Sequence, residues 1–410
     1  MKQLKKAERF SDPDSERQPK AYIKTFGCQM NVRDSEVVAG LLKRDGFALC
    51  DDFAGADAVI FNTCAVRQHA EDKVWSEIGR ISKLARNAKK KRPVIGLIGC
   101  MAQNYQQQAF DRSSDVDFVV GPADLAKIPG ILKRIIESKG ASAYSDLLGL
   151  KIWETEGEIR PESIYHTGFY DDKSHAYVVI SEGCDNFCAY CIVPYVRGRV
   201  RHRKAQDIIK EIKEAVMTGV TRVTLLGQNV NSYQSPTLHE EKPVDFAHLL
   251  TQVNGLPELK EINFITSHPK DTTVKLFKAM AACEKVRKYL HLPVQAGADR
   301  ILKAMNRGYT RKWYLDLVGE YRRLVPDGLL TTDIIVGFPG ETKEDFQDTY
   351  DLVKDVAFDS AYIFKYSPRP NTAASQLVDD VPVKEKERRH SLILELQKNI
   401  SKSKKKRISG

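Results

Sequence analysis

Short apolar runs alternate with helical patterns along most of the chain. In residues 20–140 the runs Ala21–Phe26, Asp57–Asn62 (DAVIFN), Pro93–Gly99 (PVIGLIG) and Val116–Val120 read as strands. Between and after them Ser35–Arg44, Ala70–Lys89, Gln103–Phe110 and Pro122–Lys139 read as helices, the first with Val37, Val38, Leu41 and Leu42 at helical spacing. Alternation at this rhythm predicts an α/β domain, a parallel sheet with helices on its faces. Residues 141–174 show little periodicity and read as a linker. From Ala176 the alternation resumes. Strands are predicted at Ala176–Ser181, Arg222–Leu226, Glu261–Thr266, Tyr289–Pro293, Leu330–Val336 and Ser360–Tyr366, each but the last followed by helix. Six units are too few for an eightfold barrel, so residues 175–372 predict an open (β/α)6 partial TIM barrel. In both architectures functional groups belong at the carboxyl ends of the strands.

The flanks add little chemistry. Residues 1–19 read as a disordered, charged leader with no apolar core of a secretory signal. Residues 373–410 read as a basic helical tail, and 384–410 carry ten Lys or Arg against three Asp or Glu. No apolar run approaches the roughly 20 residues that a membrane span needs.

Cysteine placement changes the picture most. Cys184, Cys188 and Cys191 stand at C-x3-C-x2-C, with Tyr190 before the last. Three thiolates this close suit three irons of a cubane iron–sulfur cluster. The fourth iron then keeps an open position, by the logic of a catalytic zinc with three protein ligands. A zinc site completed by His202 is the alternative; unconnected structural cysteines fit poorly with eight cysteines in 410 residues. Cys28, Cys64 and Cys100 each sit just past a predicted strand, after Gly27, Thr63 and Gly99. Parallel strands bring such positions to one sheet edge, so a second three-thiolate metal site is expected, against the reading that these are core cysteines. Cys50 and Cys283 lack that placement and read as filler.

Other strand ends carry Gly227-Gln228-Asn229, Ser267-His268-Pro269, Gln295 and Gly337–Gly340. The amides of Gln228 and Asn229 suit a polar cofactor. Ser267, His268 and Asp333 taken singly fit caps and turns equally well, and Gly337 and Gly340 fit a tight turn.

Charge bears on partners. Lys and Arg number 64 and Asp and Glu 54, a net charge of +10, which suits a polyanion such as RNA. Arg197, Arg199, Arg201, Arg203 and Lys204 follow the cysteine loop and read as phosphate contacts or as a solvated basic face. Free thiols at long spacings, with no signal and no span, predict a reducing cytosol and a cytoplasmic protein.

The motifs together resemble one family. They are TFGCQMNVRDSE (Thr25–Glu36), FNTCAVRQHAEDKV (Phe61–Val74), GLIGCMAQ (Gly96–Gln103), EGCDNFCAYCIVPYVRGR (Glu182–Arg199), LLGQNVNSY (Leu225–Tyr233), TSHP (Thr266–Pro269), HLPVQAGADRILKAMNRGYT (His291–Thr310), TTDIIVGFPGET (Thr331–Thr342) and YSPRPNT (Tyr366–Thr372). From about Lys20 to Thr372 the chain resembles the radical S-adenosylmethionine (SAM) methylthiotransferases. Around Cys64 it is similar to the MiaB branch, the tRNA 2-methylthio-N6-isopentenyladenosine synthases. Branches acting on threonylcarbamoyl-adenosine or on a ribosomal-protein aspartate differ there and remain the alternative.

The resemblance implies two [4Fe-4S] clusters and SAM as cofactors. Cys184, Cys188 and Cys191 would hold the cluster that binds SAM, and Cys28, Cys64 and Cys100 the auxiliary one. Tyr190 would pack by the SAM adenine, with Gly227, Gln228, Asn229, Ser267 and Gln295 lining the pocket. The implied reaction turns C2–H of an adenine into C2–SCH3, one SAM giving the radical and a second the methyl, with sulfur presented at the auxiliary cluster. The implied partners are a tRNA anticodon stem-loop and an electron donor such as flavodoxin or ferredoxin, for a monomer with no membrane attachment. The family normally continues into an RNA-binding TRAM β-barrel, which this sequence is expected to lack. A basic tail acting through salt-sensitive phosphate attraction is one expected substitute, and an inactive remnant is the alternative that the short chain raises.

Overall fold

The computed structural model describes residues 17–65, 68–89, 91–141, 150–236 and 243–408. The leader up to residue 16, residues 66–67 of the Cys64 motif, residues 142–149 of the linker and the last two residues of the tail lie outside it.

The first half is a six-stranded parallel sheet of β1 (Lys20–Phe26), β2 (Ala48–Leu49), β3 (Ala58–Thr63), β4 (Val94–Ile98), β5 (Phe118–Val120) and β6 (Ile152–Glu154). Its order is β2-β1-β3-β4-β5-β6. Every residue of β3, β4 and β5 is buried, as expected of a parallel sheet covered on both faces. Alternation sorts the side chains. Ala58 and Ile60 face Val37, Val38, Leu42, Leu132 and Ile135 of helices Gln29–Arg44 and Ile128–Ala141. Val59 and Phe61 face Val74, Ile78 and Ile81 of helix Gln68–Asn87. The chain thus leaves β1 toward one face and β3 toward the other. That reversal between neighbouring strands makes a crevice at their carboxyl ends, where doubly wound sheets bind ligands.

Two strands were not expected from the pattern. Ala48–Leu49 is two residues long, and Ile152–Glu154 falls in the stretch read as linker yet pairs with β5.

The second half has the six parallel strands that the pattern predicts: β7 (His175–Val179), β10 (Arg222–Leu226), β11 (Glu261–Phe264), β12 (Tyr289–His291), β13 (Leu329–Val336) and β14 (Ser360–Lys365). They run in chain order, with β11 joined toward β12 through the parallel bridge Ile262–Val286. No ladder joins β7 to β14 among the described residues, so the barrel is open. Helix Gln29–Arg44 packs against β7, and helix Val383–Ile408 packs along β14, where His390 bonds the Ile363 carbonyl and Gln397 donates to that of Phe358. A short antiparallel ladder, β8 (Ser181–Glu182) with β9 (Arg201–His202), closes the neck of the cysteine loop. Gly183 sits in that neck at φ +74°, where a Cβ would lie 2.1 Å from the Arg199 carbonyl oxygen; only glycine fits there.

Buried ion pairs lock the halves together. Arg33, with 0% of its side chain exposed, bonds Glu211 Oε1 at 3.0 Å and the Tyr165 carbonyl at 2.9 Å. Asp34 accepts from Arg160 at 2.7 Å and from Arg197 at 2.7 Å. Arg203 donates to Glu211 at 2.5 Å and lies 4.0 Å from the Tyr165 ring centroid.

Candidate metal centres

The crevice between β1 and β3 is where two of the first three cysteines fall. Cys28 follows β1 as the cap of helix Gln29–Arg44, Cys64 follows β3, and Cys100 opens the helix after β4. Cys28 is accessible, whereas Cys64 and Cys100 are buried. Two buried amides fix the turns: Asn31 Nδ2 donates to Asn62 Oδ1 at 2.9 Å, and Asn62 Nδ2 donates to the Asn31 carbonyl at 2.8 Å. The Cys28 thiol donates to Asn31 Oδ1 at 3.3 Å. A hydrogen bond with Cys64 draws the Cys28 pKa down to about 6, with burial opposing and Arg197 assisting. Burial pushes the Cys100 thiol up, and Arg197 counters it.

The second set lies on one loop between β8 and β9. Cys188 Sγ is met by Arg307 Nη1 at 3.2 Å and His268 Nε2 at 3.8 Å. His268 Nδ1 accepts the Lys270 backbone N–H at 3.2 Å, which leaves the ring proton on Nε2, aimed at the sulfur. Burial, then Arg307 and Lys270, lowers the His268 pKa to about 2, so the ring stays neutral. Burial pushes Cys191 up to about 12, with Cys188 adding to it, and also raises Cys184.

Among the described residues, no three His, Cys, Asp or Glu side chains gather as a single-ion site. His202 stands apart from the thiols, edge-on to Tyr233 at 5.5 Å between centroids; the zinc alternative that it would complete has no support.

Unpartnered polar atoms mark the barrel mouth. Ser181 Oγ after β7, Gln228 Oε1 and Asn229 Oδ1 after β10, Ser267 Oγ after β11 and Gln295 Oε1 after β12 are buried without a hydrogen-bond partner. Each such group costs about 1–3 kcal/mol unless something satisfies it. Thr266 and Gln295 also take positive φ, at +72° and +73°, a strain that concentrates at ligand sites. Five orphaned polar atoms around one mouth fit a polar cofactor such as SAM. Gly227 allows close approach there, since a Cβ would lie 2.5 Å from Ser181 Oγ. Tyr190 packs beside Ala189, Ala296 and Phe338, with its hydroxyl 3.3 Å from Arg307 Nη1. A separate cavity of about 360 Å3, lined by Asn231, Tyr233, Asp245 and Asp271, holds none of the six cysteines.

The two sets share a wall. Ile192 and Val196 pack against Ala65 and Cys100, and Arg197, ending helix Val193–Arg197, donates from Nε to Cys100 Sγ at 3.1 Å. The loop that carries the second set therefore touches the first.

Residues 20–121, with the first set, match the family described as "Uncharacterized protein family UPF0004", and residues 178–353, with the second, match the "Radical SAM superfamily". A protein of Carboxydothermus hydrogenoformans named tRNA-2-methylthio-N(6)-dimethylallyladenosine synthase is 46% identical over 384 residues, 93% of this chain and 83% of its own. One of the same name from Syntrophomonas wolfei is 45% identical over 381 residues, 92% and 81% of the two chains. The chain belongs to the family of tRNA-2-methylthio-N(6)-dimethylallyladenosine synthases. Among solved structures, the radical SAM methyltransferase TsrM from Kitasatospora setae superposes with a TM-score of 0.58 at 14% identity, over 88% of this chain and 77% of that one. The cobalamin-dependent radical enzyme OxsB gives 0.53 at 13%, over 91% and 56%. These likenesses show the fold.

Within this family site, one expectation needs correction. Arg197 and Arg203 do not form a phosphate-binding face: both are buried, held by Asp34 and Cys100 and by Glu162 and Glu211. Arg199 and Lys204 are exposed and Arg201 half-exposed. The pattern also gave no sign of Arg307, Asn31, Asn62 or Asp34. Arg307 lies in the MNRGY run, 116 residues beyond Cys191, and only the fold brings it to Cys188. Asp333 pairs with His291 at 3.4 Å.

Proposed function

We propose that the protein is a tRNA methylthiotransferase that converts C2–H of N6-isopentenyladenosine beside the anticodon into C2–SCH3 by radical SAM chemistry. The observation that carries this is the shared wall: two three-thiol sets meet across Ile192, Val196 and Arg197. A transfer that needs hydrogen removal and sulfur delivery at one carbon needs two such centres facing one substrate.

Cys184, Cys188 and Cys191 hold the cluster that takes SAM, and Cys28, Cys64 and Cys100 hold the other. When bound, the clusters and SAM supply what no side chain can: one-electron chemistry for an unactivated C–H bond, and the sulfur and methyl that replace the hydrogen. Arg307 and His268 orient the Cys188 sulfur. Arg197, neutralised by Asp34, fixes Cys100. Tyr190, Gly227, Gln228, Asn229, Ser267 and Gln295 line the SAM pocket, where the orphaned oxygens accept from its donors. Ile192, Val196 and Ala65 keep water from the wall. An electron donor such as flavodoxin or ferredoxin serves a monomeric cytoplasmic enzyme. Among the described residues no helix is long and apolar enough to cross a membrane.

The test is an anaerobic assay with isopentenylated anticodon stem-loop RNA and, in parallel, a ribosomal protein. The RNA alone gains a methylthio group. Cys188→Ala abolishes 5′-deoxyadenosine release, whereas Cys64→Ala retains some release and loses methylthio product. Product on the protein substrate, or none on either, contradicts the assignment.

A further inference from the structure

We infer that Phe187 and Tyr195 form a stacking platform for an unpaired RNA base flanking the target adenine, a role that rests on the tRNA reading above and deepens it. Both rings belong to the loop of the second cysteine set, yet they stand in solvent, 36% and 46% exposed. They meet edge-to-face, with centroids 6.2 Å apart and planes at 89°. Two perpendicular rings make a corner in which a flat base can stack on one face while its rim meets the other.

Phe187 is held outward at a cost. Its φ is +45°, a genuine outlier for a bulky residue. Asn306 maintains it, donating from Nδ2 to the Asn186 carbonyl at 3.2 Å and the Phe187 carbonyl at 3.0 Å. The Ala189 N–H, bonded to the Met305 carbonyl at 2.9 Å, fixes the next turn. Strain of this kind clusters at ligand-contacting sites, and here it holds an exposed ring.

The chemistry around the corner selects nucleic acid over a protein partner. The Arg199 guanidinium lies 5.2 Å from the Phe187 centroid, and its exposed head meets Asp185 at 3.5 Å. Aromatic faces beside an exposed guanidinium suit stacked bases and their phosphates. Among the described residues from 181 to 204, no other large apolar side chain is exposed, so the loop itself presents two rings and a guanidinium and no wider apolar surface. Position completes the argument. Tyr195 stands on the helix whose buried residues Ile192 and Val196 meet Cys100, so the platform rises over the wall between the two thiol sets.

The experiment is equilibrium binding of the reconstituted full-length protein to isopentenylated anticodon stem-loop RNA at fixed salt, beside RNA with abasic sites flanking the target. Wild-type protein should bind the abasic RNA about tenfold more weakly, within the range of aromatic–base stacking. Tyr195→Leu should lose a similar factor on intact RNA, little more on abasic RNA, and keep its iron content. Tyr195→Phe should restore affinity. Equal binding by wild type and Tyr195→Leu, or an equal loss by Tyr195→Leu on both RNAs, overturns the platform alone. Wild-type protein that ignores the stem-loop overturns the tRNA reading and the platform with it.

Discussion

The two thiol sets reach a similar arrangement by opposite routes. Cys184, Cys188 and Cys191 come from one loop, pinched at its neck by β8 and β9. Cys28, Cys64 and Cys100 come from three strand ends and exist as a set only because the sheet is parallel and its order reverses at β1 and β3. Each set has a buried arginine on one sulfur, Arg307 on Cys188 and Arg197 on Cys100. The arginines differ in their other partners. Arg197 is neutralised by Asp34 at 2.7 Å. Among the described residues, the partners of Arg307 besides the sulfur are neutral: Tyr190, Tyr309 and the Pro293 carbonyl. The local set thus keeps an uncompensated positive charge, suited to an anionic cluster and a carboxylate ligand. The dispersed set is tied into the ion network that joins the halves.

The largest effect expected from that difference is at Asp34. Asp34→Ala leaves buried Arg160 and Arg197 with Glu182, at 2.9 and 3.8 Å, as the carboxylate they share, and should cost about 3 kcal/mol in denaturant unfolding. A loss no larger than that of a surface variant would detach the dispersed set from the network. The next effect is acidic. An unfolded His268 takes a proton near pH 6.5, whereas the folded ring, lowered to about 2, does not. The unfolded state then binds more protons below pH 6.5, so stability present above that value is lost as pH falls. Between pH 7 and pH 5 this amounts to about 2 kcal/mol. His268→Gln should flatten that limb of the unfolding profile, and an unchanged slope would remove the neutral-imidazole contact with Cys188. A smaller effect separates the arginines. Arg307→Gln should alter the electron paramagnetic resonance signal of the reduced SAM-site cluster and leave the auxiliary signal unchanged, while Arg197→Gln does the reverse. The smallest is at Cys50, which lies in neither set. Cys50→Ser should leave iron content unchanged, and a loss would assign it to a cluster.

The same contrast governs what a reader can find in the sequence. The local set is legible as three cysteines in eight residues. The dispersed set is legible only through strand ends, whose positions can be read because β3 and β4 are strongly apolar runs and β1 carries Ala21, Tyr22, Ile23 and Phe26. What escaped is polar. Helix Gln29–Arg44 begins six residues before its apolar pattern, because buried Asn31, Arg33, Asp34 and Glu36 read as a solvated turn. The partners of Arg33 and Asp34, namely Arg160, Arg197 and Glu211, lie more than 120 residues away. Arg197 and Arg203 resemble a solvated basic run because the sequence does not mark their carboxylates, Asp34 at 163 residues and Glu211 at eight, as buried partners. Strand Ile152–Glu154 is too short to stand out from its polar surroundings, and its place comes from pairing with β5.

The central claim is that six cysteines form two separate cluster sites. Iron and sulfide counting after anaerobic reconstitution tests it most directly, on wild type and on Cys28→Ala/Cys64→Ala/Cys100→Ala. Two four-iron clusters predict about eight irons and eight sulfides per chain in the wild type and about four of each in the variant. A wild type with about four irons, or with a single zinc and no sulfide, would contradict it.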